Sequence, residues 1–305
     1  MGEGADRRMT TGYRRLHEPQ REDLRVRGLG MRITRWRGPG SAAAPIVMLH
    51  GWLDCGESFQ FIVDALRRDA PVVAPDWRGF GGSEWPQDGY WFPDYLADLD
   101  ALLRLISPAE PVALVGHSMG GNIASLYAGL RPERVKSLIN IEGLGMTPAA
   151  ASEAPERLRK WLDQVARAAP SSEYDSFEQF ATVIRRHHPR ISAERAAYVA
   201  ALWARADLGD RVRQVHDPRH RFVNPILYRR EEAEACWREI RAPALLILGA
   251  ESELPARLKM EDAAAPFRRA VPHAEVVRIA DAGHLLHLDQ PEAVASAIET
   301  FLARH

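Results

Sequence analysis

Two cysteines, Cys55 and Cys236, cannot make a disulfide framework, and no C-x-x-C pair is present. Lysine is almost missing, confined to Lys136, Lys160 and Lys259, so arginine supplies nearly all of the 40 basic residues. Against 41 acidic residues they leave a formal net charge of −1. No global field therefore points to nucleic acid or to an anionic membrane. No apolar run is long enough to span a bilayer. Residues 1–20 are Arg-rich but have no apolar h-region, which excludes a secretory signal and predicts a flexible tail on a cytoplasmic chain. Gly79-x-Gly81-Gly82 lacks the strand–loop–helix spacing and the downstream acid of a dinucleotide fingerprint. His187-His188 has no further ligand at metal spacing. No cofactor, metal, nucleic-acid or membrane partner is expected, and the chain is expected to be a monomer or homodimer.

What is present is a soluble, core-forming composition, 46% hydrophobic and 27% charged. Short apolar runs at 23–27, 31–37, 46–49, 72–74, 111–115, 135–141, 244–248 and 275–279 read as strands. They alternate with helical periodicity at 58–68, 93–106, 122–130, 256–269 and 291–303. That alternation predicts an α/β fold with a mostly parallel, doubly wound sheet, whose sites lie at the C-terminal strand ends. Residues 21–145 and 229–305 form the predicted core. Residues 146–228 break the pattern, with helical stretches at 155–168, 176–187 and 193–206 and no convincing strand. Such an insertion reads as a helical cap, and its aromatics, Trp161, Phe177, Phe180, Tyr198, Trp203 and Phe222, pack against the core or line an apolar pocket.

The chemistry centres on Pro111–Asn122, PVALVGHSMGGN. A strand, then Gly116-His117-Ser118-Met119-Gly120, then a helix is the context of a nucleophile elbow, with Ser118 exposed on a tight turn at a helix start. A serine hydroxyl needs a base. His284, on the loop between the last strand and the last helix, stands where the chain order Ser…acid…His puts it; His287 lies one helical turn on as a neighbour. The third member is a carboxylate that fixes the imidazole tautomer. Glu142, ending the strand after the elbow, is one candidate, and Glu251 or Glu253, after the strand at 244–248, is the other; spacing alone does not choose between them.

With these residues in order, the chain resembles the α/β-hydrolase superfamily, and the stretches His50–Phe59 and Asp76–Ser83 also resemble the serine-hydrolase-like proteins. His50-Gly51-Trp52 is similar to the family's oxyanion loop. The resemblance implies an oxyanion hole from the backbone N–H groups of Trp52 and Met119. Most of the superfamily carries its acid as an aspartate where this chain has Ser252. Some relatives carry it after the sixth strand, about two dozen residues past the nucleophile. Glu142 lies 24 residues after Ser118, so the resemblance favours Glu142 over the alternative acid Glu251. His117 is expected to brace the elbow and Asp54 the oxyanion loop. The implied activity is that of a carboxylesterase-like serine hydrolase. It would cleave a small apolar ester, lactone or thioester through an acyl-enzyme. A carbon–carbon bond hydrolase or a ligand sensor that turns over slowly are the alternatives.

Overall fold

Short apolar runs without alternation are the mark of strands covered on both faces. The computed structural model, which describes residues 12–37, 44–207 and 211–305, shows the central runs buried in this way, while the two edge strands of the sheet are only partly covered. β1 (Gln20–Val26) and β2 (Leu29–Trp36) make an antiparallel hairpin. β3 (Ile46–Leu49) is followed by α1 (Gln60–Ala65), β4 (Val72–Pro75), α2 (Phe92–Ile106) and β5 (Val112–His117). Only Ser118 separates the end of β5 from α3 (Met119–Leu130), and β6 (Val135–Ile141) follows. The chain then leaves the sheet for α4 (Ala154–Val165), β7 (Glu173–Tyr174), α5 (Phe177–His187), α6 (Ala193–Trp203), β8 (Ala204–Ala206) and β9 (Val212–Gln214). It returns through α7 (Arg230–Arg238), β10 (Ala244–Gly249), α8 (Leu254–Arg257), α9 (Ala265–Ala270), β11 (Glu275–Ile279), α10 (Leu286–Asp289) and α11 (Pro291–Leu302).

The large sheet has the order β1-β2-β4-β3-β5-β6-β10-β11 and is parallel from β4 to β11. Alternate side chains feed two layers. Val47, Leu49, Leu114 and Leu246 pack with α2 and α3 on one face, while Met48, Val115, Ile139 and Leu245 pack with α1 and α11 on the other. Each such fully buried aliphatic side chain contributes about 1.5–3 kcal/mol. Register sets Gly116 beside Asn140 and Ile141 beside Ile247, and the ladder continues past the strand ends: Ser118 N donates to Ile141 O (2.8 Å) and Glu142 N to Ile247 O (3.0 Å). Three consecutive loops are thereby held side by side.

Three expectations need correction. Residues 146–228 hold strands as well as helices: β7, β9 and β8 form a small antiparallel sheet. Two or three residues rich in charge carry no period to read, and the helix at 193–206 accordingly stops at Trp203. The expected helix at 256–269 is split into α8 and α9, with Lys259 at φ 56° between them and the Asp262 carboxylate accepting from Ala264 N (2.9 Å). The predicted tail is not loose where it is described. Tyr13 packs edge-on to Phe61 and Tyr198, and the backbones of Leu16 and His17 donate to Asp64; residues 1–11 lie outside the described residues.

The inserted segment is fastened to the core by both packing and hydrogen bonds. Phe180, Ile184, Tyr198 and Val199 share one cluster with the core residues Phe61 and Leu288. Tyr198 donates to Glu57 (3.1 Å), Trp203 to Asp54 (2.7 Å) and Tyr90 of the core to Asp217 (2.8 Å). Trp161 and Phe222 stay partly exposed.

Candidate active site

The elbow forms where it does because its backbone passes others too closely for side chains. A Cβ on Gly120 would lie 2.1 Å from Leu49 O, and one on Gly116 2.3 Å from Gly120 O. Ser118 adopts φ 51°, ψ −113°, a conformation that costs of order 1–3 kcal/mol for a non-glycine residue. The β-strand and helix on either side over-determine it, and the turn lifts Oγ clear of the sheet.

Two hydrogen bonds join the predicted residues. His284 Nε2 lies 3.0 Å from Ser118 Oγ, and His284 Nδ1 lies 2.9 Å from Glu142 Oε2. Glu142 is buried, at 1% exposure, and sits at φ 56°, turned back towards the base by the bend that Asn140 holds. The Asn140 amide donates to Gly143 O (2.9 Å) and its carbonyl accepts from Gly143 N (2.7 Å). A buried carboxylate must be hydrogen-bonded on all sides. Here Oε1 accepts from Gly249 N (2.9 Å), and Oε2 accepts from the Ser252 hydroxyl (2.6 Å) as well as facing His284. Ser252 thus serves the carboxylate from the position where most of the superfamily has its acid, a role that inspection of the sequence did not foresee. Glu251, the alternative acid, points away, is exposed and pairs with Arg190 of the inserted segment.

The loop after β3 passes directly against the elbow. A Cβ on Gly51 would come within 2.9 Å of His117 Nδ1 and 3.3 Å of Ser118 Cβ. His50 fixes this loop: its Nε2 accepts from Trp77 N (2.9 Å), so its proton sits on Nδ1, which donates to Gly51 O (2.7 Å). Burial pushes the His50 pKa down, keeping the ring neutral. The N–H of Met119 follows Ser118 directly and that of Trp52 follows Gly51, and no group among the described residues accepts from either. The Trp52 indole, half exposed, donates to His220 O (3.3 Å) of the inserted segment.

The motif Asp76–Ser83 proves to be scaffolding. The Asp76 carboxylate accepts from Gly56 N (2.7 Å) and Gly82 N (2.8 Å), and Ser83 donates to Asp76 O (2.6 Å). Arg78 forks onto Asp98 at 2.6 and 2.7 Å.

Beneath the three residues lies a second, wholly buried polar layer. His117 reaches past the elbow to His284 O (2.8 Å); a carbonyl only accepts, so Nε2 carries the proton. Burial first, then the neighbouring His287 and His284, pushes the His117 pKa well down. Asp54 accepts from Cys55 N (2.8 Å), the Ser58 hydroxyl (2.9 Å) and Trp203 Nε1 (2.7 Å), tying the oxyanion-side loop to the inserted segment. His287 is fully buried rather than a partly buried neighbour, 3.4 Å from Asp54 Oδ2. Burial opposes the charge on Asp54, but His287 beside it and the donors around it hold its pKa below the usual value. A cavity of about 300 Å³ opens elsewhere, between the loop after β4 and β8–β9, lined by Trp85, Arg205 and Arg213 among others and by none of Ser118, Glu142 or His284. Among the described residues no helix is long and apolar enough to cross a membrane.

Comparison with known proteins bears on the fold that carries these residues. Residues 44–291 match the family model of the alpha/beta hydrolase fold. A serine hydrolase-like protein of Danio rerio is 27% identical over 87% of this chain and 83% of its own. A 3-hydroxybutyrate-oligomer hydrolase of Cupriavidus necator is 30% identical over 89% of this chain and 92% of its own. Among solved structures, a thioesterase domain from the curacin biosynthetic pathway superposes with a TM-score of 0.82 at 25% identity, covering 92% of this chain and 99% of that one.

Proposed function

Because the chain belongs to the α/β-hydrolase family, we propose that it is a serine hydrolase that cleaves a small ester-type substrate through an acyl-enzyme. The observation that carries this is the unbroken line Ser118 Oγ–His284 Nε2, His284 Nδ1–Glu142 Oε2, at 3.0 and 2.9 Å. Ester, lactone and thioester carbonyls all fit. The similarity to an oligomer hydrolase and a thioesterase supports acyl transfer as the shared chemistry.

Ser118 Oγ attacks the carbonyl carbon as His284 Nε2 takes its proton. The resulting imidazolium is held by Glu142, whose Oε2 accepts from Nδ1–H. The oxyanion forms between the N–H groups of Trp52 and Met119, the latter at the N-terminus of α3, where the helix dipole also favours negative charge. His284 then gives the proton to the leaving oxygen or sulfur. Water, deprotonated by the same nitrogen, attacks the acyl-Ser118 carbonyl; the bond to Ser118 Oγ then breaks, and Oγ takes that proton back from His284 Nε2 as the acid leaves. The role of Glu142 is to orient the imidazole and to stabilise its charge. The inserted segment acts as a cap that bounds the acyl side, held over the core by Trp203, Tyr198 and His220.

The test is Ser118→Ala assayed on short-chain aryl esters, with fluorophosphonate labelling of the wild type. Turnover falls on the order of 10⁶-fold and labelling is confined to Ser118. Unchanged hydrolysis by the variant sinks the proposal. Rapid labelling of wild type with negligible turnover across a broad ester panel makes the chain a ligand sensor instead.

A further inference from the structure

The buried layer under the catalytic residues holds three groups that the hydrolytic mechanism does not use. Asp54, His117 and His287 come from three chain segments: the loop after β3, the end of β5, and α10. They are 5%, 2% and 0% exposed, and one ligand atom from each lies within 4.8 Å of the others. His117 Nδ1 and both ring nitrogens of His287 are buried without a hydrogen-bond partner. Orphaned buried polar atoms are rare, because each forfeits its hydration for nothing. A nitrogen of each ring and an Asp54 carboxylate oxygen share one buried space, which suits a group that all three can bind.

We propose that Asp54, His117 and His287 form a binding site for a divalent transition-metal ion of the zinc class, and that its occupancy inhibits the enzyme. The donor set of two imidazoles and one carboxylate suits such an ion. The outer partners are arranged for it as well. His117 donates its Nε2–H to His284 O, leaving the Nδ1 lone pair bare. Asp54 Oδ1 is held by Cys55 N and the Trp203 indole, and Oδ2 accepts from the Ser58 hydroxyl (2.9 Å) and faces His287 Nε2 at 3.4 Å. His287 Nε2 already faces Asp54 Oδ2, so an ion entering there would replace that contact, while Nδ1 has no hydrogen-bond partner.

Inhibition follows from the distances. Ligand atoms around a tetrahedral ion at about 2.0–2.1 Å stand roughly 3.3 Å apart. Atoms spread over as much as 4.8 Å must close up to reach that spacing. Closure draws the oxyanion-side loop, the elbow strand and the loop of the base together. Misplacement of catalytic groups by about 1 Å can cost ~10²-fold in rate. This half of the proposal rests on the hydrolase mechanism above; the binding half does not.

Cobalt(II) added to the chelator-treated full chain is the first probe. One equivalent should bind with the visible absorption of a four-coordinate ion, in the wild type and in Ser118→Ala alike. His287→Gln should weaken binding by at least about tenfold and abolish that spectrum, while His188→Gln keeps it. Zinc should lower kcat of the wild type about tenfold or more, and far less in His287→Gln. In a zinc-loaded wild-type crystal, the anomalous peak should lie within about 2.2 Å of the three ligand atoms, which tests the site even if His287→Gln does not fold. Absence of cobalt binding, a spectrum unchanged in His287→Gln, or an anomalous peak elsewhere overturns the site. Binding without loss of turnover overturns the inhibition. Intact cobalt binding in a protein without esterase activity would instead remove the hydrolase mechanism and leave the site standing.

Discussion

Two neighbouring parallel strands, β6 and β10, end at the same edge of the sheet, and the loop after each carries a carboxylate. Their fates differ completely. Glu142 is buried and receives Gly249 N, the Ser252 hydroxyl and His284. Glu251 is exposed and paired with Arg190. Chain position does not separate them, because both loops reach the base. Backbone direction does: the left-handed bend at Glu142, braced by Asn140, turns its side chain inward, whereas Glu251 N is committed to Ala282 O (3.0 Å) with its side chain outward. A charge is useful to a triad only where the fold has already surrounded it with donors. The β10 loop therefore contributes in a different way, through the serine that steadies the carboxylate of its neighbour.

Replacing Glu142 with Gln tests that contrast most severely. The amide keeps the shape but presents the wrong partner to Nδ1, and kcat on an aryl ester should fall about 10⁴-fold; a loss of only a few-fold would hand the role to the other loop. Ser252→Ala removes one hydrogen bond to a charged group, of about 1.5 kcal/mol, and kcat should fall roughly tenfold with KM little changed. A rise in KM alone would place Ser252 in substrate binding instead. Glu251→Gln breaks only an exposed ion pair. Steady-state kinetics should stay within about twofold and a urea melt within about 0.5 kcal/mol of wild type, and a large loss of rate would erase the distinction between the two loops.

Much of this site was legible before any coordinate. Gly116 and Gly120 bracket Ser118 between a strand and a helix, the context of an elbow, and the strand at 135–141 ends on Glu142 in plain view. The roles that escaped notice belong to residues whose partners are remote in the chain. Trp203 meets Asp54 across 149 positions and Ser252 meets Glu142 across 110. The small sheet in the inserted segment escaped for a different reason: strands of two or three residues are too short to show a period. The break between α8 and α9 escaped because Lys259 adopts a left-handed φ that no glycine or proline announces. His287 was visible only as a neighbour of His284; its full burial against Asp54 and His117 depends on how α10 packs beneath the elbow.

The sequence by itself determined which segments are strands of a buried parallel sheet, where the elbow forms, and which histidine and serine meet. Hydrophobic runs and close-approach glycines are local signals, legible wherever they occur. Only the tertiary structure decided which carboxylate lies against His284, what Ser252 does, and that three buried polar groups come together close to Ser118 and His284. Each of those outcomes turns on side-chain direction across strand ends and on desolvation, and both are properties of the assembled chain rather than of any stretch of it.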